Sequence, residues 1–347
     1  MTAKSGYWFS THLSFVVQQR TTRVKKIMRI AAAVGILFVL ALATALVLTA
    51  IPEPPIGAPR DIYNFAALAK LPAPTGVPDL RRYPARDGEQ LAYRIYDSTS
   101  DRILIFIHGS SYQGGGYHAL AAFLSSGGVA KVVLPNLRGH YMSGRRRGDV
   151  DYIGQYEDDT DDLIKFLRGQ GLNGPITLGG HSSGGGFTIR FAGGAHAPDV
   201  SSYLPLAPII PLSPSIKDGG TAGGWAVLHL TRIYGLIALN AVGIHGFNAL
   251  PVIAFSKPVQ FWNGTETLSY SYRLNASYLP RYNYHADIRA LGARTLVLIG
   301  ADDESIDAAA LRTLIGADAP KALMNILPSI DHFGIFSDPA ALTVIAD

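Results

Sequence analysis

The run Pro175-Ile176-Thr177-Leu178-Gly179-Gly180-His181-Ser182-Ser183-Gly184-Gly185-Gly186 decides how the rest of the chain is read. Its first half is short, apolar and β-branched, which predicts a buried strand. Its second half is G-x-S-x-G, passing at once into a helical pattern over Phe187–Ala192. A turn this tight forces Ser182 into strained backbone angles, and only small neighbours leave room for it. Gly180 and Gly184 supply that room. The hydroxyl of Ser182 then stands at the carboxyl edge of a sheet, where open α/β folds place their chemistry.

A serine in that position needs a base, a carboxylate to orient the base, and donors for an oxyanion. Downstream, Arg294–Gly300 reads as a buried strand followed by Ala301-Asp302-Asp303-Glu304, and Ala322–Leu327 as another strand followed by Pro328-Ser329-Ile330-Asp331-His332. Of the ten histidines, His332 alone lies on such a loop after the acidic cluster. Asp303 is the expected acid and Asp302 the next choice. Carboxylates such as Asp307 also suit the N-terminus of a helix over Ile306–Ile315, and Asp331 reads as a solvated loop residue. The strand Ile103–Ile107 leads into His108-Gly109-Ser110-Ser111-Tyr112-Gln113-Gly114-Gly115-Gly116. The backbone N–H groups of Ser110 and Ser183 are the expected oxyanion donors. His108 precedes the serine and reads as a structural histidine bonded to neighbouring backbone.

Together, H-G-S-S (108–111), N-L-R-G-H-Y-M-S (136–143), G-H-S-S-G-G (180–185), G-A-D-D (300–303) and D-H-F (331–333) resemble the α/β-hydrolase superfamily. Within it the chain looks most like the lysophospholipase and monoacylglycerol-lipase branch, also called serine aminopeptidase-like. The resemblance covers about residues 80–347. It implies an α/β-hydrolase fold, a mostly parallel sheet with helices on both faces, and no cofactor or metal. It also implies Ser182 as nucleophile, Asp303 as acid, His332 as base, and Ser110 with Ser183 at the oxyanion hole. Tyr141 stands where the family usually has a second Gly, Asn136 where Asp is common, and Ser183 where a larger residue is frequent.

The chain of 347 residues, 48% apolar, can bury one sizeable core. It has no Cys, which excludes disulfides, thiolate zinc sites and a cysteine nucleophile. Residues 1–52 hold six Lys and Arg and no acid, so against a total of +4 the remainder carries −2. That balance, with no basic stripe, argues against a nucleic-acid partner.

From Ile30 to Ile51 no residue is charged, and about 20 such residues cross a bilayer. The expectation is a basic cytoplasmic segment over 1–29, a signal anchor over 30–51, a Pro-rich linker over 52–78 and the hydrolase domain over 79–347. All the cations precede the anchor, which puts the catalytic domain outside the cytoplasm. The competing reading is a signal peptide starting at Met28 and cut near Ala50, giving a secreted protein. An insertion over about 211–285 is expected to form a cap. Apolar residues at 225, 228, 233, 236, 237 and 239 approximate one helical face within it. The carboxylates of the helix Glu157–Arg168 read as a solvated face rather than a metal site, and Arg145–Arg147 as a solvated loop. The expected activity is hydrolysis of carboxylic esters, with a lipid-like ester as substrate. Peptidase, thioesterase and acyltransferase chemistry use the same triad, and a non-catalytic binding protein uses the same fold.

Overall fold

The computed structural model describes residues 5–52, 61–68, 74–218, 221 and 224–347. Residues 53–60 and 69–73 of the Pro-rich linker, including Pro54, Pro55 and Pro59, lie outside them. In chain order the first elements are helices α1 (Ser5–Ala50) and α2 (Phe65–Leu68) and strands β1 (Arg81–Pro84), β2 (Gln90–Tyr96) and β3 (Ile103–Ile107). Next come α3 (His118–Ser126), β4 (Lys131–Asn136), α4 (Gln155–Gly169), β5 (Ile176–His181), α5 (Ser183–Ala192) and β6 (Ser202–Leu206). The insertion holds β7 (Ala226–Leu228), α6 (Leu230–Ala241), β8 (Pro251–Phe255), β9 (Ser269–Ser271), α7 (Tyr272–Tyr278) and α8 (Tyr284–Arg289). The chain closes with β10 (Leu296–Gly300), α9 (Ala308–Asp318), β11 (Leu323–Leu327) and α10 (Pro339–Ala346).

The chain divides into two compact units, one of residues 1–52 and 230–247, the other of 53–229 and 248–347. In the larger unit eight strands form one sheet in the order β1-β2-β4-β3-β5-β6-β10-β11. The two pairings of β2 are antiparallel and the rest parallel, as expected for this fold class. Strand β3 is wholly buried, as an all-apolar run covered on both faces must be. It pairs with β5 through Ile107↔Gly180, so the loops after these two strands leave the sheet side by side. Likewise Gly300↔Leu327 brings the loops after β10 and β11 together. All four loops emerge at the carboxyl ends of parallel strands, and the first two flank the point where the strand order reverses.

Two expectations need correction. The segment Trp225–Phe255 is helical only over Leu230–Ala241; β7, β8 and β9 form a small antiparallel sheet on either side of it in sequence. Val227, Val252, Ile253 and Phe255 are β-branched or aromatic, and they favour a strand over an extension of the helix. The acids of α4 are not a solvated face either: Glu157, Asp159 and Asp161 are buried. Each meets a cation, Arg190 Nε at 2.6 Å from Glu157, Arg138 Nη2 at 2.7 Å from Asp159, and Arg86 Nη2 at 2.7 Å from Asp161. Paired in this way, a carboxylate can be taken out of water. Arg145–Arg147 is a surface loop, as expected, with Arg145 held by Glu89 and Arg146 by Asp149 and Asp151.

In the smaller unit, Arg23–Ala50 of α1 is long and apolar enough, by length and composition, to cross a membrane. Helix α6 packs on its last turns. A Cβ at Gly235 would lie 2.7 Å from the Ala45 carbonyl oxygen, so glycine alone permits this approach. Arg232 donates to the carbonyls of Thr49 and Ile51, both at 3.1 Å. These belong to the helix end, whose carbonyls have no partner inside the helix.

Candidate active site

Ser182 sits between β5 and α5 with φ 57° and ψ −120°, a region that non-glycine residues seldom adopt. Its own peptide groups hold it there. The N–H of Ser182 donates to Leu206, and its carbonyl accepts from Gly186 and Ile209, all at 3.0 Å. Neighbouring glycines make the turn sterically feasible. A Cβ at Gly180 would lie 2.4 Å from the Gly184 oxygen, and one at Gly184 would lie 2.3 Å from the Ile107 oxygen. Although Ser182 occupies the N-cap position of α5, its hydroxyl makes no capping bond and faces the pocket.

The loops after β10 and β11 bring Asp303 and His332 together. Nδ1 of His332 lies 2.7 Å from Oδ2 of Asp303, both groups being buried. The second oxygen of Asp303 accepts from the N–H groups of Ser305 at 2.9 Å and Ile306 at 2.8 Å. A carboxylate so occupied cannot swing away, and it fixes the imidazole with Nδ1–H toward the acid and Nε2 free to accept. Glu304 accepts from the His332 N–H at 2.9 Å, and burial raises its carboxyl above the usual range. Asp302 is exposed, Asp307 caps α9 at Ala309 and Ala310, and Asp331 accepts from Gly334 N–H. None of these three contacts His332 through its carboxylate. Ser182 and His332 line one narrow pocket with Tyr63, Gly109, Ser110, Tyr112, Tyr117, His181, Trp225 and Phe333. No hydrogen bond joins the serine to the imidazole, and such bonds are often long until substrate is bound.

The loop after β3 completes the pocket. Ser110 and Ser183 meet through their hydroxyls at 3.1 Å, which ties the loop after β3 to the start of α5. Ser111, at φ 66°, is fixed by Tyr270 Oη, which accepts its N–H at 2.7 Å, and by the Thr267 N–H at 3.1 Å to its carbonyl. Asn136 braces the same region: its Oδ1 accepts from Gly114 at 2.8 Å and its Nδ2 donates to Tyr141 at 2.7 Å. His108 is fully buried, accepts from Leu137 N–H at 3.1 Å and contacts Gly109 O at 2.9 Å through Nδ1. Burial pushes its pKa down to about 4, which fits a neutral, structural histidine.

Several residues of the site escaped the sequence reading. Gly109 N–H donates to Tyr117 Oη at 2.8 Å, Tyr117 meets His181 Nδ1 at 3.0 Å, and His181 Nε2 meets the His332 carbonyl at 2.9 Å. Burial and the adjacent His332 push His181 well below its ordinary pKa, so it is a neutral link between the two loops. Tyr63 stacks on the His332 ring, with centroids 4.8 Å apart and an interplanar angle of 18°. It comes from the segment assigned above to the linker. The only signal there is a pair of aromatics, Tyr63 and Phe65, in an otherwise nondescript stretch.

Residues 104–344 match the profile of the alpha/beta hydrolase family. The chain belongs to that family. Among proteins similar to this hydrolase is a monoacylglycerol lipase of Mycolicibacterium smegmatis, 28% identical over 122 residues that cover 35% of this chain and 42% of that protein. The match thus spans less than half of that curated relative. A soluble variant of the monoglyceride lipase from Saccharomyces cerevisiae, solved with a substrate analog, superimposes with a TM-score of 0.59 at 18% identity, covering 80% of this chain and 95% of the other. A monoacylglycerol lipase from Paleococcus ferrophilus gives 0.51 at 17% identity, over 74% and 95%. An esterase from Thermogutta terrifontis gives 0.52 at 19%, over 77% and 96%. At these identities the solved structures share the fold with this chain, and the likeness to the monoacylglycerol-lipase branch is the one expected from the motifs.

Proposed function

We propose that this hydrolase cleaves carboxylic esters of lipid type, such as monoacylglycerols or lysophospholipids, through an acyl-enzyme. The observation that carries this reading is the buried His332–Asp303 contact of 2.7 Å on the same pocket as the strained Ser182. His332 Nε2 takes the Ser182 proton as Oγ attacks the ester carbonyl. The N–H groups of Ser110 and Ser183 receive the oxyanion. The proton then passes to the leaving alcohol, and a water deprotonated by His332 releases the acid. Tyr63, Tyr112, Trp225 and Phe333 give the pocket aromatic walls, which match an apolar substrate in character, and the monoacylglycerol lipase similar in sequence supports the same substrate class. Arg23–Ala50 anchors the enzyme in a membrane in this reading, with the catalytic domain outside the cytoplasm.

The test is a panel of monoacylglycerols, lysolipids, amides and thioesters of graded acyl length, assayed with the full chain. Activity rising beyond short acyl chains supports the reading. A steep preference for acetyl or butyryl esters, or for amides, overturns the substrate class. Protease added to intact spheroplasts digests the domain if the orientation is right; protection refutes it.

A further inference from the structure

We infer that the segment Asp61–Leu68, which precedes the family domain in sequence, is part of the active site, and that Tyr63 is a positioning residue for His332. The family match begins at residue 104, so nothing in that match assigns a role to this segment. Its local structure is built for a fixed position. Asp61 accepts from the N–H of Phe65 at 2.6 Å and of Ala66 at 3.1 Å, starting the short turn of α2. Tyr63 and Phe65, on either side of Asn64 at φ 51°, are 4% and 3% exposed. Phe65 packs on Trp225, Phe261 and Phe333, with centroids 5.8, 6.1 and 5.5 Å away. Tyr63 alone of the two reaches the base.

Two contacts of Tyr63 bear on the chemistry. Its ring covers one face of the imidazole, and its hydroxyl bonds to Ser305 Oγ, the residue whose N–H is accepted by Asp303. One side chain therefore touches both the base and the loop that holds the acid. A stacked ring opposes rotation of the imidazole about χ2, a broad torsion when left to itself. It also presents an electron-rich face to the imidazolium that forms when Ser182 is deprotonated, and it keeps water off that face. Burial raises the Tyr63 phenol above its usual range, so the hydroxyl stays protonated and able to donate.

This inference rests on Ser182 and His332 acting as proposed, and the experiment separates the two. In the full chain, with a medium-chain monoacylglycerol as probe, Tyr63→Leu is expected to lower kcat about tenfold with KM changed much less, as loss of an interaction made in the transition state requires. Tyr63→Phe keeps the stacking and is expected to restore most of kcat. Phe65→Leu, which alters the cover without touching His332, is expected to raise KM more than it lowers kcat. Thermal unfolding of each variant identifies any loss that comes from misfolding. An unchanged kcat in a folded Tyr63→Leu, or an equal fall in kcat for Phe65→Leu, overturns the inference. Turnover in Ser182→Ala equal to wild type overturns the functional reading instead.

Discussion

The turn at Ser182 and the cover of Tyr63, Trp225 and Phe333, backed by Phe65, bound the same pocket, yet they are held by different forces. At the turn, main chain packs on main chain. The limits are the 2.4 and 2.3 Å clashes that a Cβ at Gly180 or Gly184 would make, and there is no slack to absorb a side chain. At the cover, aromatic rings meet edge-on or tilted at centroid separations of 5.0–6.3 Å. Such contacts tolerate exchange of one apolar group for another. The difference implies that the turn tolerates no added side chain, whereas the cover accepts exchange of one apolar group for another.

The largest expected effect belongs to the turn. Ser182→Ala should lower kcat by on the order of 10⁶ and abolish covalent labelling by a fluorophosphonate; equal labelling of both proteins breaks the comparison at its base. Asp303→Asn should cost about 10⁴ in kcat by favouring the wrong tautomer of His332, while Asp302→Asn, at an exposed site, should leave turnover near wild type. Reversal of those two effects would move the acid by one residue.

Two smaller effects concern stability. His108 has its pKa pushed down to about 4 by burial, against about 6.5 in an unfolded chain. Its neutral form therefore contributes stability above pH 6.5, and that contribution is lost as pH falls from 6.5 through 4. The loss is on the order of 3 kcal/mol. Urea midpoints at pH 7 and pH 4.5 measure it, and His108→Asn should flatten the difference. Gly184→Ala should destabilise the fold by about 1–3 kcal/mol through overpacking. Trp225→Leu, in the cover, should cost less stability than its size suggests and should instead change the acyl-length profile. If Gly184→Ala proves neutral while Trp225→Leu unfolds the protein, the contrast between turn and cover is wrong.

This contrast also explains what could be read from the sequence. Main-chain crowding is written directly into residue identity, so Gly180, Ser182 and Gly184 announce the turn. The loops of Asp303 and His332 are legible because each follows a buried strand, and parallel strands deliver their loops to one edge. The cover leaves no such trace. Tyr63 meets His332 across 269 positions of sequence by ring contact alone, and no local pattern encodes that. The acids of α4 read as solvated from the sequence for a related reason, since Arg86, Arg138 and Arg190, which neutralise them, come from other parts of the chain. In the insertion, apolar spacing suggested one helix, whereas the β-branched residues of β7 and β8 pair as strands.

The seating of α6 on α1 bears on what loss of the first helix would leave behind. An export peptidase cutting near Ala50 would remove the carbonyl of Thr49, to which Arg232 donates, and the Ala45 backbone that Gly235 is shaped to meet. The processed enzyme would keep Arg232 and Gly235 on α6 without the Thr49 and Ala45 main chain that they meet. An uncut chain keeps both contacts.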